Sequence, residues 1–405
     1  MSSRLNNLKS KCTHWVLLTL CLSLSPPWLA AQEAGGNLQV HGFLTQGLIK
    51  TTGNNFFGDS EDVSDEFTEL GINASYRATP SLLFSGQLLS RRAGELYDGS
   101  PSIDFALLDW SPVDNTDYAL GVQLGRVKNA LGLYNETRDV AFTRPSIFVP
   151  QQVYFDTVRN LFLSTDSAHA YGRLYNELGR WTVNIGTGRI PVDKNVEITF
   201  LGGDFAGDLD TVGLSYIVHT EYESPDTRWR LALSAAQGKL DFDAAPADPI
   251  SDGEIDFKIW IASAQYNAER WSITAEYMEE PIDFAGFGPF FGRRNSTVQG
   301  YYLQGTYLLS DDVELVTRYG EGYADKDDHS GRRLSAATGG ALPPHAFYQK
   351  DWMVGLRWDV TPSFMLRAEY QRARGTGSLS ARENPDPAAL QKDWEMFSLL
   401  GSYRF

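Results

Sequence analysis

From residue 37 to the carboxyl terminus, apolar and polar residues alternate along the chain with a period of two. In one run, Trp352, Val354, Leu356 and Trp358 alternate with smaller or more polar residues. Because successive side chains of a strand point to opposite faces, such a run forms a strand with one apolar and one polar face. The pattern therefore predicts an all-β protein.

The number and length of these runs indicate how the strands are arranged. There are about sixteen, each of roughly ten residues, which is the length of a tilted strand that crosses a bilayer. They begin near residues 38, 67, 81, 103, 117, 169, 180, 210, 228, 256, 270, 297, 313, 351, 363 and 394. The facing of the runs near 103, 169 and 256 is ambiguous. An even count predicts a closed antiparallel transmembrane β-barrel.

The connections between the runs alternate in length. Those after the even-numbered strands are short, as at 79–81 and 361–363. Those after the odd-numbered strands are long: 50–66, 93–101, 128–168, 190–207, 238–254, 281–296, 320–350 and 375–393. Short turns on one rim and long loops on the other are typical of outer-membrane barrels, whereas a soluble sandwich has little reason to sort its loops.

Aromatic residues fall at both ends of the apolar faces, as expected for side chains that lie at the lipid headgroups. At the short-turn ends they are Trp110, Tyr118, Trp181, Trp229, Tyr266, Trp271, Tyr307, Trp358 and Phe364. At the long-loop ends they are Tyr277, Tyr301, Tyr319, Trp352, Tyr370 and Phe397. Aromatic residues are also good strand formers, but that preference does not explain their banding.

Residues 1–31 have the layout of a cleaved secretory signal. A basic start is followed by a short apolar run and by the small pair Ala30 and Ala31. Both cysteines, Cys12 and Cys21, fall in this segment, so the mature barrel, 32–405, has no cysteine. Removing three basic and no acidic residues changes the formal charge from −16 to about −19. Such an acidic chain is a poor partner for nucleic acid.

The last strand alternates outward and ends on an aromatic residue, Phe405, with Tyr403 two residues before it. This resembles the terminal signature of Gram-negative outer-membrane proteins, which the barrel assembly machinery recognises. The stretch GRVKNALGLYNETRD, at 125–139, is similar to porin-like proteins of Gram-negative bacteria. The resemblance implies an outer-membrane location, contact with lipopolysaccharide, a homotrimer and no cofactor.

A barrel of about sixteen strands is too wide for side chains to fill, so we expect a water-filled lumen unless something plugs it. The connection 128–168 is too long and too aromatic for a solvated loop. Its position resembles the third outer loop of trimeric general porins, which folds inward and narrows the pore. The chain lacks the Pro-Glu-Phe-Gly-Gly type of segment found in some of those porins.

If this loop folds inward, its charges and those of the barrel wall are candidates for a pore constriction. The loop residues are Glu136, Arg138, Asp139, Arg144, Asp156 and Arg159, and the wall residues are Arg77, Arg91, Arg126, Arg318 and Arg367. Opposed charges across a narrow pore create a transverse field that orients dipolar solutes. Alternatively, the loop charges pair with one another and only hold the loop in place.

Other functions receive less support. The histidines after the signal show no catalytic spacing and are His41, His169, His219, His329 and His345. We therefore expect no enzyme, and we predict no metal site. The acidic residues Asp325, Asp327 and Asp328 depart from the Ca²⁺-loop pattern and are expected to be solvated. The prediction is a porin-like channel for small polar solutes. A substrate-specific channel is the alternative, and a barrel adhesin or hydrolase is less favoured.

Overall fold

The computed structural model describes residues 36–288 and 294–405. The predicted signal at 1–31 and the two cysteines lie outside the described residues. Among the described helices, none is both long and apolar enough to cross a membrane.

Antiparallel strands make up most of this part of the chain. They are β1 (Leu38–Thr51), β2 (Ser64–Thr79), β3 (Leu82–Ala93), β4 (Tyr97–Asp114), β5 (Tyr118–Lys128), β6 (Ser164–Asn176), β7 (Gly179–Arg189), β8 (Asp208–Thr211), β9 (Ser215–Glu223), β10 (Trp229–Asp243), β11 (Gly253–Asn267), β12 (Trp271–Gly286), β13 (Arg294–Leu308), β14 (Val313–Tyr323), β15 (Tyr348–Thr361), β16 (Phe364–Arg374) and β17 (Asp393–Arg404). Three short α-helices lie in the described connections: α1 (Arg159–Leu163), α2 (Lys194–Leu201) and α3 (Arg332–Ala337). Three 3-10 turns also lie there: Asn135–Thr137, Ala141–Thr143 and Pro344–Phe347.

The strands close into a ring, because β1 pairs with β2 on one side and with β17 on the other. The short β8 pairs with the outer end of β10, whereas β9 pairs with the rest of β10 and with β7. These two strands therefore share one position in the wall, interrupted near Gly213, whose φ of 70° is a conformation that glycine adopts easily. The ring thus has sixteen positions, which confirms the predicted closed antiparallel barrel.

The alternation of short and long connections is also present, with one exception. The predicted long connection 93–101 is wrong, because only residues 94–96 join β3 to β4. Asp98 and Pro101 still pair with Arg92 and Ser90, so both strands continue beyond the expected edge of the bilayer.

The outer surface of the barrel is apolar and bounded by aromatic side chains. On β15, Val354 and Leu356 are exposed between Trp352 and Trp358, which are exposed at the two ends. The same pattern recurs on the other strands, where exposed aromatic side chains include Trp110, Tyr118, Trp181, Trp229, Trp271, Tyr307, Tyr370 and Phe397. Exposed apolar surface of this extent matches a lipid environment and confirms the predicted aromatic bands.

The inner surface of the barrel is polar in some parts and apolar in others. On β11, Ile255, Phe257, Ile259 and Ile261 are buried on the inward side. They belong to an apolar cluster with inward residues of β10, β12 and β13 and with the long connection after β5. A second cluster joins the same connection to the inner wall of β1, β2, β16 and β17. These parts of the inner wall are therefore apolar, because a protein segment packs against them in place of water.

The chain terminus takes part in closing the ring. Phe405 and Gly42 exchange two backbone hydrogen bonds of 3.0 Å, one in each direction. On the neighbouring inward face, Gly71 lies directly under the buried ring of Phe43. An aromatic ring laid over a cross-strand glycine shields the exposed backbone and fixes the register.

Substitution of Gly71 by alanine tests this packing. The added Cβ would lie 2.2 Å from the Cε1 atom of Phe43, so the buried ring must shift. We expect Gly71→Ala to lower the free energy of unfolding by roughly 1–3 kcal/mol, the usual cost of overpacking. Urea titration of the refolded barrel measures it. Gly86→Ala is the matched control, since its nearest contact would be an ordinary 3.5 Å. Equal stability of the two variants would contradict the prediction.

Candidate functional site

The connection between β5 and β6, residues 129–163, lies inside the ring of strands; we call it the inward loop. Its backbone N–H groups bond to inward side chains on widely separated strands. Gly132 donates to Ser234 Oγ on β10 at 3.0 Å, and Ile147 donates to Glu369 Oε1 on β16 at 2.6 Å. The loop therefore spans the interior from one wall to another.

Glu276 on β12 is the main attachment point of the loop. Its buried carboxylate accepts hydrogen bonds from Leu133 N at 2.9 Å and from Tyr154 OH at 2.6 Å, both in the loop. Two wall hydroxyls, those of Ser263 and Tyr302, also donate to it at 2.6 Å. A buried carboxylate is costly unless its lone pairs are satisfied, and these four donors satisfy them. The two loop donors fix two parts of the loop to one wall residue.

Where the loop meets β2 and β3, three arginines and two acids form what we call the central charge cluster. Arg91 on β3 bonds to Glu69 on β2 at 3.1 Å and to Asp156 in the loop at 3.0 Å. Arg138 also contacts Asp156, at 3.2 Å, and Arg144 contacts Glu69, at 3.4 Å. All five residues are 2–6% exposed. Two neighbouring strands and two parts of the loop are thus joined through shared carboxylates.

The charges around Asp156 determine the direction in which its pKa is shifted. Burial alone raises the pKa of a carboxyl group. The guanidinium groups of Arg91 and Arg138 outweigh that effect, so the pKa of Asp156 lies below its ordinary value. Asp156 is therefore ionised at neutral pH and remains an acceptor for both arginines.

A second set of ion pairs holds the start and end of the loop. Lys128, the last residue of β5, bonds to Asp104 on β4 at 2.8 Å and to Asp139 in the loop. Arg159 of α1 also pairs with Asp139. These side chains are almost completely buried, so the pairs stay strong in a dry environment, and removal of one partner would leave an uncompensated charge.

Arg318 on β14 and Arg367 on β16 face the loop in a different way. Arg318 donates to Ser146 Oγ at 2.8 Å and to Phe148 O at 3.2 Å, and Arg367 donates to Arg144 O. Neither guanidinium has a carboxylate partner within 4.0 Å in the part of the chain that the structure describes. Their hydrogen bonds therefore go to the loop, although the carboxylates of Glu369 and Asp351 lie within electrostatic range of the two guanidinium groups.

Glu136 differs from the other loop charges because solvent reaches its side chain. Its electrostatic neighbours are Glu221 on β9, Arg230 on β10, Lys128 and Arg173 on β6. The enclosing wall limits hydration and raises the pKa of Glu136, and the Glu221 carboxylate adds to the shift. Glu136 thus lines a wet part of the lumen, on the side of β6 to β10.

Two of the candidate constriction residues do not meet the loop. Arg77 is exposed at the short-turn end of β2 and donates to Pro80 O at 3.3 Å. Arg126 pairs with Asp166 on the neighbouring strand at 2.7 Å, on the face of β5 that carries exposed Leu124. The interpretation of both as partners of the loop charges is wrong, because one lies at the far rim and the other turns away from the lumen.

Several residues at the site did not stand out as constriction candidates from the sequence. The inward acids Glu69 and Asp104 are not among the residues predicted for the constriction. Lys128 enters the prediction only as the first residue of the connection 128–168. The period of two contains the signal for Glu69, since it shares the inward face with Gly71. Asp104 lies on β4, whose facing the alternation left ambiguous.

A serine, a histidine and a glutamate do come together inside the barrel. His219 Nδ1 lies 2.8 Å from Ser234 Oγ, and its Nε2 lies 4.0 Å from Glu221. However, Ser234 is 0% exposed, and its hydroxyl also accepts the Gly132 N–H group. A nucleophile needs access to a substrate carbonyl, and the loop covers this one. The geometry therefore fits an attachment point for the loop and not a hydrolytic triad.

Comparison with known proteins gives a result at the level of fold. No protein-family model matches the chain, and no curated protein sequence matches it. Solved structures do match. The outer-membrane channel DcaP of Acinetobacter baumannii is 11% identical, with a TM-score of 0.56 over 92% of this chain and 98% of that chain.

Two further structures give the same result. OmpF of Salmonella typhi, solved in complex with daunomycin, is 14% identical, with a TM-score of 0.56 over 91% of this chain and 98% of that one. The anion-selective porin from Comamonas acidovorans is 12% identical, with a TM-score of 0.54 over 91% and 99% of the two chains. The chain therefore has the fold of the porin-like outer-membrane β-barrels.

If the central charge cluster holds the inward loop in place, loss of one of its acids should make the loop open more often. Asp156→Asn would leave Arg91 and Arg138 short of one buried negative charge, at a cost of roughly 3–5 kcal/mol. We expect the Ile147 amide to exchange its hydrogen at least about 100-fold faster, because the loop opens more often. Amide exchange followed by mass spectrometry measures this rate.

The control for this experiment is Asp166→Asn, which removes the acid of a partly exposed arginine pair. An exposed pair contributes about 1 kcal/mol or less, so protection of the loop should change little. Unchanged exchange in Asp156→Asn would show that the cluster does not hold the loop.

Proposed function

We propose that this porin-like outer-membrane barrel is a channel for passive diffusion of small polar solutes and ions, and that the inward loop forms its narrowest part. The observation that supports this best is the polar lining below the loop. Inward side chains with access to solvent there include Asp109, Gln123, Tyr171, Arg173, Thr182, Asn184 and Arg230. Charged and amide groups in a dry cavity would be costly, so this half of the lumen holds water.

The exposure of part of the inward loop to solvent favours a loop that narrows the pore over one that closes it. Glu136 and Thr137 stay exposed on its surface although the rest of the loop is largely buried. Solvent therefore reaches the loop from the wet side of the lumen. Acidic Glu136 and Glu221 lie near basic Arg173 and Arg230, and charges of both signs across a narrow passage orient dipolar solutes.

A substrate-specific channel is the second candidate, and one observation favours it. Arg144, Arg318 and Arg367 each have a buried Nε–H group without a hydrogen-bond partner among the described residues. Unpaired guanidinium donors are suited to a carboxylate or phosphate group. If such a solute binds there, it blocks ion current at low concentration. A general diffusion channel shows no such block.

The resemblance to trimeric general porins also leads us to propose a homotrimer. The proposed role of Tyr403 and Phe405 in recognition by the assembly machinery rests on the same resemblance. Chemical cross-linking of the unheated protein tests the trimer.

The channel proposal is tested by charge reversal at Glu136. In planar bilayers, we expect the wild-type protein to form ohmic channels. We expect Glu136→Lys to shift the reversal potential in a salt gradient towards anions, because the changed charge lies in the ion path. Glu177→Lys is the matched control, since Glu177 is exposed in the turn between β6 and β7. That variant should keep the wild-type reversal potential.

Two results would count against the proposal. Absence of conductance from correctly folded wild-type protein would exclude a diffusion channel. Conductance with the same reversal potential in the wild type and in Glu136→Lys would place the ion path away from the loop.

A further inference from the structure

The outer loop 324–347 packs against the outside of the barrel wall. His329 stacks on the outward ring of Tyr323 at 3.8 Å and lies 3.0 Å from Gln299 on β13. Within the loop, Asp325 pairs with Arg333, and Asp328 accepts the Leu334 N–H group at 3.0 Å. These acids therefore hold the loop in shape. Asp325 and Asp328 are buried, so the expectation that they are solvated is wrong. No cluster of metal-binding side chains occurs among the described residues.

Between this loop and the ends of β15, β16 and β17 is a cavity of about 490 Å³, which we call the basic outer pocket. Its polar lining consists chiefly of His329, Arg332, His345, Lys350, Arg374 and Lys392. No carboxylate is among the described residues that line it.

The strand register gives the depth of this pocket in the membrane. Trp352 is 62% exposed on the outward face of β15 and marks the outer edge of the apolar band. Lys350 is two residues nearer the outer rim, about 7 Å further along the tilted strand, and pairs directly with Arg374 on β16. Inward neighbours such as Gln349 and Asp351 are buried, so both cations point away from the lumen. The pocket is therefore at the height of the lipid headgroups.

Two of the four lysine and arginine side chains that line the basic outer pocket lack an acidic partner among the described residues. Lys350 contacts Glu321 at 3.2 Å, and Arg374 lies 3.8 Å from Asp393. Arg332 and Lys392 form no ion pair with the residues that the structure describes. This concentration of cations contrasts with the formal charge of −16 for the whole chain.

A lysine at the same position relative to an outward tryptophan on another strand has acidic neighbours instead of basic ones. Lys258 on β11 is also two residues above an outward tryptophan, Trp260. There, however, Asp256 and Glu254 follow on the same face, and Glu254 pairs with Lys239 at 2.7 Å. The accumulation of cations therefore does not recur at this second position.

We propose that the basic outer pocket binds the phosphate groups of a lipid in the outer leaflet, such as the phosphorylated headgroup of lipid A. Arginine and lysine are the side chains that bind phosphate oxygens most strongly. A lipid is the expected source of the phosphate, because the pocket opens outside the wall and directly above the apolar band. The proposal does not depend on channel activity.

The test counts lipid bound to the purified full-length barrel in detergent by native mass spectrometry. The probes are bisphosphorylated lipid A, the same lipid without its phosphates, and inorganic phosphate. We expect the Arg332→Gln, Lys392→Gln double variant to bind bisphosphorylated lipid A roughly 10- to 30-fold more weakly than the wild type. The Lys239→Gln, Lys258→Gln double variant removes the same charge at a similar depth and should bind like the wild type.

Three outcomes would overturn the proposal. The first is equal binding of bisphosphorylated lipid A by the pocket variant and the wild type. The second is equally tight wild-type binding of the lipid without phosphates, a result that requires no variant. The third is displacement of lipid A by inorganic phosphate at similar concentration, which would indicate a soluble phosphate ligand.

Discussion

The structure depends on one constraint, the need of every backbone N–H and C=O group in a bilayer for a partner within the protein. A sheet meets this need only when it has no free edge. Pairing of β1 with β17 removes the last edge, and the exchanged bonds between Gly42 and Phe405 extend that pairing to the final residue. Closure in turn separates an outer face in lipid from an inner face that can hold water, charges and a loop.

The inward loop shows what an enclosed interior permits. Apolar loop residues pack against inward isoleucines and phenylalanines of β11 and β12, and charged ones pair with inward side chains of β2, β3 and β5. In a low-dielectric interior, an unpaired charge would be far more costly than at a surface. The loop is therefore attached at many points, and the lumen stays wet on the side where Glu136 is exposed.

Much of the candidate site could be predicted from the alternation and from loop length. The long connection after the fifth strand stood out by length and aromatic content. Arg91, Arg138 and Asp156 were selected within it or opposite it, and they are in contact in the structure. Arg77 and Arg126 are predicted as constriction residues only because they are basic and lie on barrel strands. Both positions could have been read from the local pattern, because the period of two puts Arg126 on the outward face with Leu124, and Arg77 lies two residues before the short turn at 79–81.

By itself, the sequence determined that the chain forms about sixteen strands and which side of most of them meets lipid. These are local properties, because the period of two and the position of each turn can be read within about ten residues. Only the tertiary structure decided what fills the interior. Glu69 and Asp156 are 87 positions apart in the chain, yet both bond to Arg91. Such contacts depend on how a ring of strands closes around a loop, and that geometry exists only once all the strands are in place.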